Sequence, residues 1–181
     1  MMREAGLQAG AQEKGHTLAA FDDFDRAVRA DLLVTATAIT MDRHAAADAV
    51  QDALIAAYRS WDEVGRLERP DLWVRRVMIN RAIDDRRRAK RWRGVVGRLG
   101  RSTSFERQLG DTAAFWHAVS QLAPAQRKTI VLRAVDELSV KEIAEVMEVA
   151  EGTVKATLHQ ARARLRQLLE IDEPTSNEGS N

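Results

Sequence analysis

The sequence predicts an all-α protein made of two small helical domains joined by a flexible linker. The chain has 181 residues, enough for two small domains, and only 10 Gly and 3 Pro, so tight turns are few. Apolar residues make up 45% of it and recur at helical spacing. Residues 93–110 hold four Gly and two Ser between two such regions. This stretch is therefore the predicted linker.

The first domain is expected over residues 21–92, after a flexible N-terminal tail over residues 1–20. Asp42 is suited to cap a second helix, and residues 62–70 are expected to form a loop. Pro70 suits the start of a third helix, which becomes strongly basic at its end. The first helix is marked by apolar side chains on one face, namely Phe21, Phe24, Val28 and Leu32.

The second domain is expected over residues 111–170, before a disordered acidic tail over residues 171–181. Ser139 lies three residues before Glu142, which is the capping-box spacing at the start of a short helix. A turn of three or four residues and a second helix follow, so the pattern is a helix-turn-helix. Ala144 is small enough to lie where the two helices cross most closely.

Charge is strongly segregated along the chain. Residues 64–107 carry a net charge of +9 and residues 151–169 of +3, whereas residues 1–63 carry −5. Two basic blocks predict two contacts with a polyanion, although solvated helix faces are the alternative. No apolar run approaches the roughly 20 residues of a membrane-spanning helix, and no signal peptide is recognisable. We therefore expect a cytoplasmic protein with no membrane partner.

An enzyme is not expected, and no catalytic residue, cofactor or metal site is assigned. Cysteine is absent, which removes thiol nucleophiles and Cys-based metal sites. The common phosphate-binding, dinucleotide-binding and hydrolase motifs are absent as well. His44, Asp48 and Asp52 have a spacing that could line up metal ligands, but ordinary polar residues at a helix start explain them better.

The helix-turn-helix predicts binding to duplex DNA, with an ordinary helical hairpin as the alternative. The N-terminal half of its second helix would enter the major groove, where Lys, Gln and Thr can bond base edges. Free backbone N–H groups at the helix start can hold a phosphate. The residues assigned to this contact are Gly152, Thr153, Lys155, Thr157, His159, Gln160 and Arg162.

The third helix of the first domain suits single-stranded nucleic acid. Aromatic, amide and guanidinium groups together supply a stacking face, hydrogen bonds and charge. Trp73 is explained equally well as a core residue. The assigned residues are Trp73, Arg76, Asn80, Arg81, Asp84, Arg87 and Arg88. The polar face around Asp52 lies in an acidic block, so it would bind a protein or remain solvated.

Two segments resemble the bacterial sigma-70 family of initiation factors, of the small extracytoplasmic-function (ECF) type. The segment that resembles sigma domain 2 is AADAVQDALIAAYRSW followed by RPDLWVRRVMINRAIDDRRRAKR. The segment that resembles sigma domain 4 is LAPAQRKTIVLRAVDELSVKEIAEVMEVAEGTVKATLHQARARLRQLL. They cover roughly residues 21–92 and 112–170, with no domain 3 between them. The resemblance implies a non-enzymatic subunit that binds core RNA polymerase and directs promoter-specific initiation.

The resemblance also implies roles for the faces described above. The helix from Pro70 would read and melt the −10 element, with Asn80 near a flipped-out base and loop 62–69 forming its pocket. The second helix of the helix-turn-helix would read the −35 element, and domain 4 would contact the β flap. The clamp coiled coil of the β′ subunit would dock on Asp48, Gln51, Asp52 and Ile55.

The chain departs from the family pattern at several positions. Glu148 stands in the turn where the family often has Gly, so a left-handed backbone would be less comfortable there. Ala156-Thr157 replaces a frequent Ser-Arg, which removes a cationic contact from the −35 helix. Loop 62–69 lacks much of the usual aromatic and Gly content.

The partners expected from the resemblance are core RNA polymerase, promoter DNA and an anti-sigma factor, and the free chain is expected to be a monomer. The competing hypothesis is a dimeric helix-turn-helix regulator that acts without being a polymerase subunit. Such a regulator would bind a two-fold symmetric DNA site by itself.

Overall fold

The structure, a computed structural model, describes the backbone of residues 2–93 and 113–172 and the side chains of residues 18–82 and 114–169. These ranges contain helices and no strand, which confirms the predicted all-α class. Most of the predicted linker and of the predicted C-terminal tail lies outside them. The helices are α1 (Met2–Thr40), α2 (Arg43–Arg59), α3 (Trp61–Val64), α4 (Pro70–Arg93), α5 (Ala113–Gln121), α6 (Pro124–Ala134), α7 (Val140–Met147) and α8 (Glu151–Asp172).

Two helix boundaries differ from the sequence-based expectation. Helix α1 begins at Met2, whereas a tail was expected over residues 1–20; that segment contains five Ala, the residue that favours helix most. The expected loop over residues 62–70 begins with the one-turn helix α3. The chain then turns at Gly65, where a Cβ atom would lie 2.8 Å from the Trp61 carbonyl oxygen, so only glycine fits this close approach.

Helices α1–α4 form the first half of the molecule. Helix α2 lies between α1 and α4 and forms the centre of this half. Its start is fixed by Asp42, whose carboxylate accepts hydrogen bonds from the backbone N–H groups of His44 (2.9 Å) and Ala45 (3.1 Å), as the sequence predicts. Small side chains on the buried faces of α2 let its neighbours approach closely. The residues of α2 buried in this core are Ala46, Ala49, Val50, Ala53, Leu54 and Ala57.

An aromatic cluster closes the end of this half near α3. The ring of Trp61 lies 5.2 Å from that of Phe21 and 4.9 Å from that of Phe24. Tyr58 also contacts Phe21 edge to face, yet half of its surface stays exposed (50%). These contacts anchor the predicted apolar face of α1, whose residue Leu32 is fully buried.

Helices α5–α8 form the second half, in which α8 packs against α5, α6 and α7. The buried side of α8 carries Val154, Leu158, Ala161, Leu165 and Leu168. This is the apolar spacing expected of an amphipathic helix that presents its other side to solvent.

The two halves are in contact rather than separate. Helix α1 packs on α6, and α4 packs on α7. A single apolar cluster includes buried residues from both halves, such as Leu32 and Met78 in the first and Leu132 in the second. Over the described part of the chain, no helix is long and apolar enough to cross a membrane.

Candidate nucleic-acid and protein interfaces

Helix α2 presents a polar face to solvent. Asp48, Gln51 and Asp52 are all exposed, and Ile55 adds an apolar group to the same face with 39% of its surface accessible. Their i, i+3, i+4, i+7 spacing places the four side chains in one row opposite the buried alanines. The structure therefore brings together all four residues that the sequence assigns to a protein contact.

Among the described side chains, the residues of α4 assigned to single-stranded DNA fall into two groups. Asn80 and Arg81 are exposed. Trp73 and Arg76 are half-buried, and Trp73 packs against the apolar core. The side chains of the remaining three lie outside the described residues, although their backbone belongs to α4, namely Asp84, Arg87 and Arg88.

Trp73 and Arg76 line a cavity of about 370 Å³ at the junction of the two halves. The loop after α3 and the first turns of α4 form most of its wall, and Glu145 of α7 completes it. The Arg76 guanidinium also lies 3.4 Å from the Glu148 carboxylate at the end of α7. The half of the chain that carries the helix-turn-helix thus contributes to the surroundings of both residues.

A buried ion pair joins the two halves next to this cavity. Arg75 Nη2 donates to Asp136 Oδ1 at 3.2 Å, and the Thr35 hydroxyl donates to the same oxygen at 2.7 Å. The Asp136 side chain is only 2% exposed. Helices α1 and α4 of the first half therefore converge on one carboxylate in the turn between α6 and α7.

Arg69 forms a second, more exposed link between the halves. Its guanidinium binds Asp71 with two hydrogen bonds of 2.9 Å and also contacts the Glu142 carboxylate of α7. The hydrogen bond to Asp71 and that to Glu142 raise the pKa of Arg69 above its ordinary value. Burial raises the pKa of Asp71, but the hydrogen bond and charge of Arg69 and the charge of Arg75 together lower it below its ordinary value.

The predicted capping box starts helix α7. The Ser139 hydroxyl accepts a hydrogen bond from the Glu142 N–H at 3.2 Å, and the Ser139 N–H donates to the Glu142 carboxylate at 2.8 Å. Helix α7 ends at Met147, and the capping residue Glu148 has left-handed backbone angles (φ 54°, ψ 46°). The resemblance to the family marks a left-handed backbone as less comfortable for Glu at this position, and Glu148 nevertheless adopts it.

Helix α8 places most of the residues assigned to duplex DNA on its exposed side. Gly152, Thr153, Lys155, His159 and Gln160 are exposed, and the first two lie in its first turn. A Cβ atom at Gly152 would meet nothing within 4 Å, so its surroundings are open.

Two further residues of α8 have additional contacts. Thr157 is half-buried, and its hydroxyl donates to the Thr153 carbonyl oxygen at 2.7 Å. Arg162 is exposed on the same side as Lys155 and His159, and it also borders a groove of about 680 Å³ between α5, α6 and α8. Apolar groove residues are Phe115, Ile130 and Leu165.

Sequence reasoning missed Arg75, Asp136 and Thr35. One local signal was available, because Leu72, Arg75 and Ile79 share one helix face and Arg75 is a charged residue in an apolar row. Asp136 and Thr35 gave no signal, since their partners are 61 and 101 residues away along the chain.

Comparison with known families finds two matches that together cover most of the chain. The family Sigma-70 region 2 matches residues 25–92, and the family Sigma-70, region 4 matches residues 112–165. The RNA polymerase sigma-E factor of Streptomyces avermitilis is 34% identical over 152 residues, which are 83% of this chain and 85% of that protein. The ECF RNA polymerase sigma factor SigL of Mycobacterium tuberculosis is 34% identical over 140 residues, 73% of this chain and 78% of that protein.

Two solved structures are also similar. The sigma factor RpoE of Bartonella quintana, in complex with the anti-sigma factor NepR, superposes with a TM-score of 0.68 at 27% identity, covering 83% of this chain and 99% of that one. CnrH, in complex with the cytosolic domain of CnrY, has a TM-score of 0.65 at 24% identity, with 90% and 96% covered. The second similarity concerns the fold alone.

Proposed function

The chain belongs to the sigma-70 family of RNA polymerase sigma factors, in its ECF group, and we propose how its surfaces divide the work of promoter-specific transcription initiation. The protein binds core RNA polymerase and directs it to promoters without catalysing a reaction itself. The competing hypothesis of a free dimeric regulator is not favoured, because it does not explain the match to region 2.

The exposed row of Asp48, Gln51, Asp52 and Ile55 docks the clamp coiled coil of the polymerase β′ subunit. This row is the observation that carries the proposal, since a polar and acidic face with one apolar side chain suits a basic protein surface. Polar residues opposite a buried face also occur on any amphipathic helix, so the variant described below tests whether this row binds a partner.

The exposed side of α8 reads the −35 element in duplex DNA. Lys155, His159 and Gln160 face the major groove, where such side chains bond base edges and phosphates. At the helix start the Gly152 N–H is offered to a phosphate, whereas the Thr153 N–H already donates to the Ala150 carbonyl oxygen at 2.9 Å. The groove beside Arg162 receives an apolar segment of the polymerase β flap, which Phe115 and Ile130 would contact.

Helix α4 captures unpaired bases of the −10 element. Unstacking costs a few kcal/mol per base step, and stacking of a base on an aromatic ring returns roughly 1–3 kcal/mol. Trp73 supplies the ring, Asn80 a hydrogen-bonding amide, and Arg76 and Arg81 the charge. The basic end of α4, with Arg87 and Arg88, adds attraction to the strand.

An anti-sigma factor is a further proposed partner, because the solved relative RpoE is bound to one. We place the protein in the cytoplasm, where its polymerase works, as a monomer when free. The predicted linker over residues 93–110 lets the two halves occupy separate sites on the polymerase.

The docking face is tested by holoenzyme assembly. Asp52→Arg reverses a charge in the centre of the face without touching the core, so we expect binding to bacterial core RNA polymerase to fall at least tenfold. Asp31→Arg, the same change at an exposed position of α1, serves as the control. Gel filtration and co-purification measure both. Unchanged assembly of the Asp52→Arg variant would remove this face from the proposal.

A further inference from the structure

We propose that the acidic C-terminal segment of this chain, residues 173–181, folds back along α8 and pairs with basic side chains beside the proposed −35 reading surface. These side chains form a basic row, which consists of Lys155, His159, Arg162 and Arg166. The inference rests on the proposed function, because the segment competes there with promoter DNA. The contact inside the protein is measurable without DNA, so it and the DNA-reading role can fail separately.

The basic row runs along one flank of α8. Its four positions are spaced by four, three and four residues, which places them on the same face of the helix. All four side chains are exposed. Arg164, by contrast, lies two residues from both Arg162 and Arg166 and therefore on the opposite flank. Helix α8 thus carries a continuous basic strip on one side only.

The cations of the basic row lack a partner among the described side chains. Lys155, Arg162 and Arg166 form neither an ion pair nor a hydrogen bond with any of them. Arginines of the first half differ in this respect, since Arg29 is paired with Asp25 at 2.8 Å. The full charge of the row is therefore available to an anion.

Reading of the −35 element accounts for only part of the basic row. The major groove is about 12 Å wide, and the first turns of a reading helix enter it. Arg166 lies about 16 Å beyond Lys155 along the axis of α8, so it stays outside a groove that receives Lys155. The far end of the row is free to bind a second anionic group.

The chain itself supplies such a group where α8 ends. Residues 170–181 contain four acidic side chains and neither Lys nor Arg. Helix α8 ends at Asp172, two residues before Pro174, and proline does not continue a helix. Proline is also well suited to a turn that reverses the chain. The segment that follows α8 and the row on α8 therefore have complementary charge.

The spacing of the acidic residues matches that of the basic row. Arg166 and Arg162 lie about 9 Å and 15 Å back from Asp172 along the axis of α8. Glu173 is next to the end of the helix and is suited to Arg166. Residues 173–178 span at most about 20 Å when extended, so Glu178 can reach Arg162 after the chain reverses.

The contact is weak enough for a promoter to displace it. Exposed ion pairs each shift an equilibrium by at most about fivefold, and salt screens them. A duplex carries one charge per about 1.7 Å of its axis, a higher density than two carboxylates provide. The segment thus lowers the affinity for non-specific DNA, which depends on charge alone, while base contacts at a −35 element outcompete it.

The position of the segment is measured by a spin label, without DNA or polymerase. The natural chain has no cysteine, so Ser180→Cys carries a single label. We expect it to broaden the NMR signals of the His159 and Arg162 amides at low salt, with Asp52 of α2 as an unaffected reference. The broadening should fall at least twofold in about 0.5 M NaCl, because salt screens the ion pairs.

Matched substitutions in the labelled chain identify the groups that hold the segment. Glu173→Gln/Glu178→Gln should reduce the broadening at least twofold, and Arg166→Gln should reduce it as well. Arg164→Gln, the same change on the opposite flank of α8, is the control and should leave the broadening unchanged.

The effect on DNA is measured with the unlabelled chain. We expect Glu173→Gln/Glu178→Gln to bind a duplex of random sequence at least threefold more tightly than the natural chain, by fluorescence anisotropy at low salt. Asp22→Asn/Asp31→Asn removes two negative charges from exposed positions of α1 and is the control. Its gain should stay below about 1.5-fold, because those charges are separated from α8 by more than screening allows.

The outcomes separate this contact from the proposed function. Absence of broadening, or broadening that neither salt nor Glu173→Gln/Glu178→Gln reduces, would overturn the contact. Equal effects of Arg164→Gln and Arg166→Gln would overturn its assignment to the basic row. Equal gains in DNA affinity for the acidic-segment variant and its control would overturn the competition. If the segment lies on the row but no form of the chain binds duplex DNA, the contact stands and the proposed role of α8 fails.

Discussion

At the scale of single residues, Glu148 has a backbone conformation that costs free energy for any residue other than glycine. Its backbone is left-handed (φ 54°), a conformation that costs an L-residue roughly 1–2 kcal/mol and costs glycine little. The turn forms nevertheless, because the N–H of Val149 bonds the Ala144 carbonyl at 3.0 Å and closes the end of α7.

We therefore expect Glu148→Gly to be more stable than Glu148→Ala by about 1 kcal/mol. The two variants lose the same exposed contact with Arg76, so their difference isolates the backbone conformation. Urea unfolding measures the free energies. Equal stabilities would mean that position 148 is not left-handed in solution.

Glu142 links the capping box to the pH dependence of stability. Hydrogen bonds to Ser139, together with that from Arg69, lower its pKa from 4.5 to about 2. The folded state therefore binds fewer protons than the unfolded state in this range. The resulting stabilisation is complete above about pH 4.5 and is lost as the pH falls through about 2.

Glu142→Gln should consequently show a shallower loss of stability between pH 4.5 and pH 2 than the natural chain. Urea unfolding at a series of pH values gives the two slopes. Ser139→Ala removes the hydroxyl contribution to the lowered pKa but keeps the backbone N–H that donates to the carboxylate, so it should reduce the slope in the same direction by a smaller amount. Parallel pH profiles for all three proteins would contradict the assigned cause.

At the scale of helices, short-range patterns were predictable and long-range partners were not. The Asp42 cap and the Ser139–Glu142 box depend on residues two or three apart, so the sequence contains everything needed to recognise them. The row on α2 follows from helical periodicity in the same way. Arg75 and Arg76 are neighbours in the sequence, and only packing decides that one is buried and the other half-buried.

Arg127 shows a connection between helices that no periodicity reveals. Its buried guanidinium donates to the carbonyl oxygens of Ser120 (2.6 Å) and Leu122 (3.0 Å) at the end of α5, and approaches that of Ile39 in α1 at 3.4 Å. It thus satisfies carbonyl groups that a helix end leaves without intrahelical partners.

Arg127→Met should destabilise the protein by roughly 3 kcal/mol, because buried carbonyl groups left without a donor cost about 1–3 kcal/mol each. Thermal unfolding followed by circular dichroism measures the change. Arg133→Met, an exposed arginine of the same helix that also donates to carbonyl oxygens, is the control and should lose less than about 1 kcal/mol. Similar losses of stability for both variants would mean that the buried hydrogen bonds of Arg127 stabilise the protein no more than those of an exposed arginine.

At the scale of the whole molecule, the sequence predicts the order and the class of its parts but not how they are arranged. Two amphipathic regions on either side of segment 93–110, with its four Gly and two Ser, predicted two helical units. Their contact includes Thr35, Arg75 and Asp136, which the fold brings together across the two halves. The surroundings of Trp73 are also decided at this scale, since it packs against the core and lines the cavity between the halves.

The central claim is that this chain gives core RNA polymerase its choice of promoter. The most direct measurement is to transcribe fragments of the organism's own genome with its core polymerase and sequence the RNA 5′ ends. The account predicts discrete start sites that appear only with the natural chain, that share two upstream elements about 25 base pairs apart, and that vanish with Asp52→Arg. An unchanged set of start sites with and without the chain would contradict it.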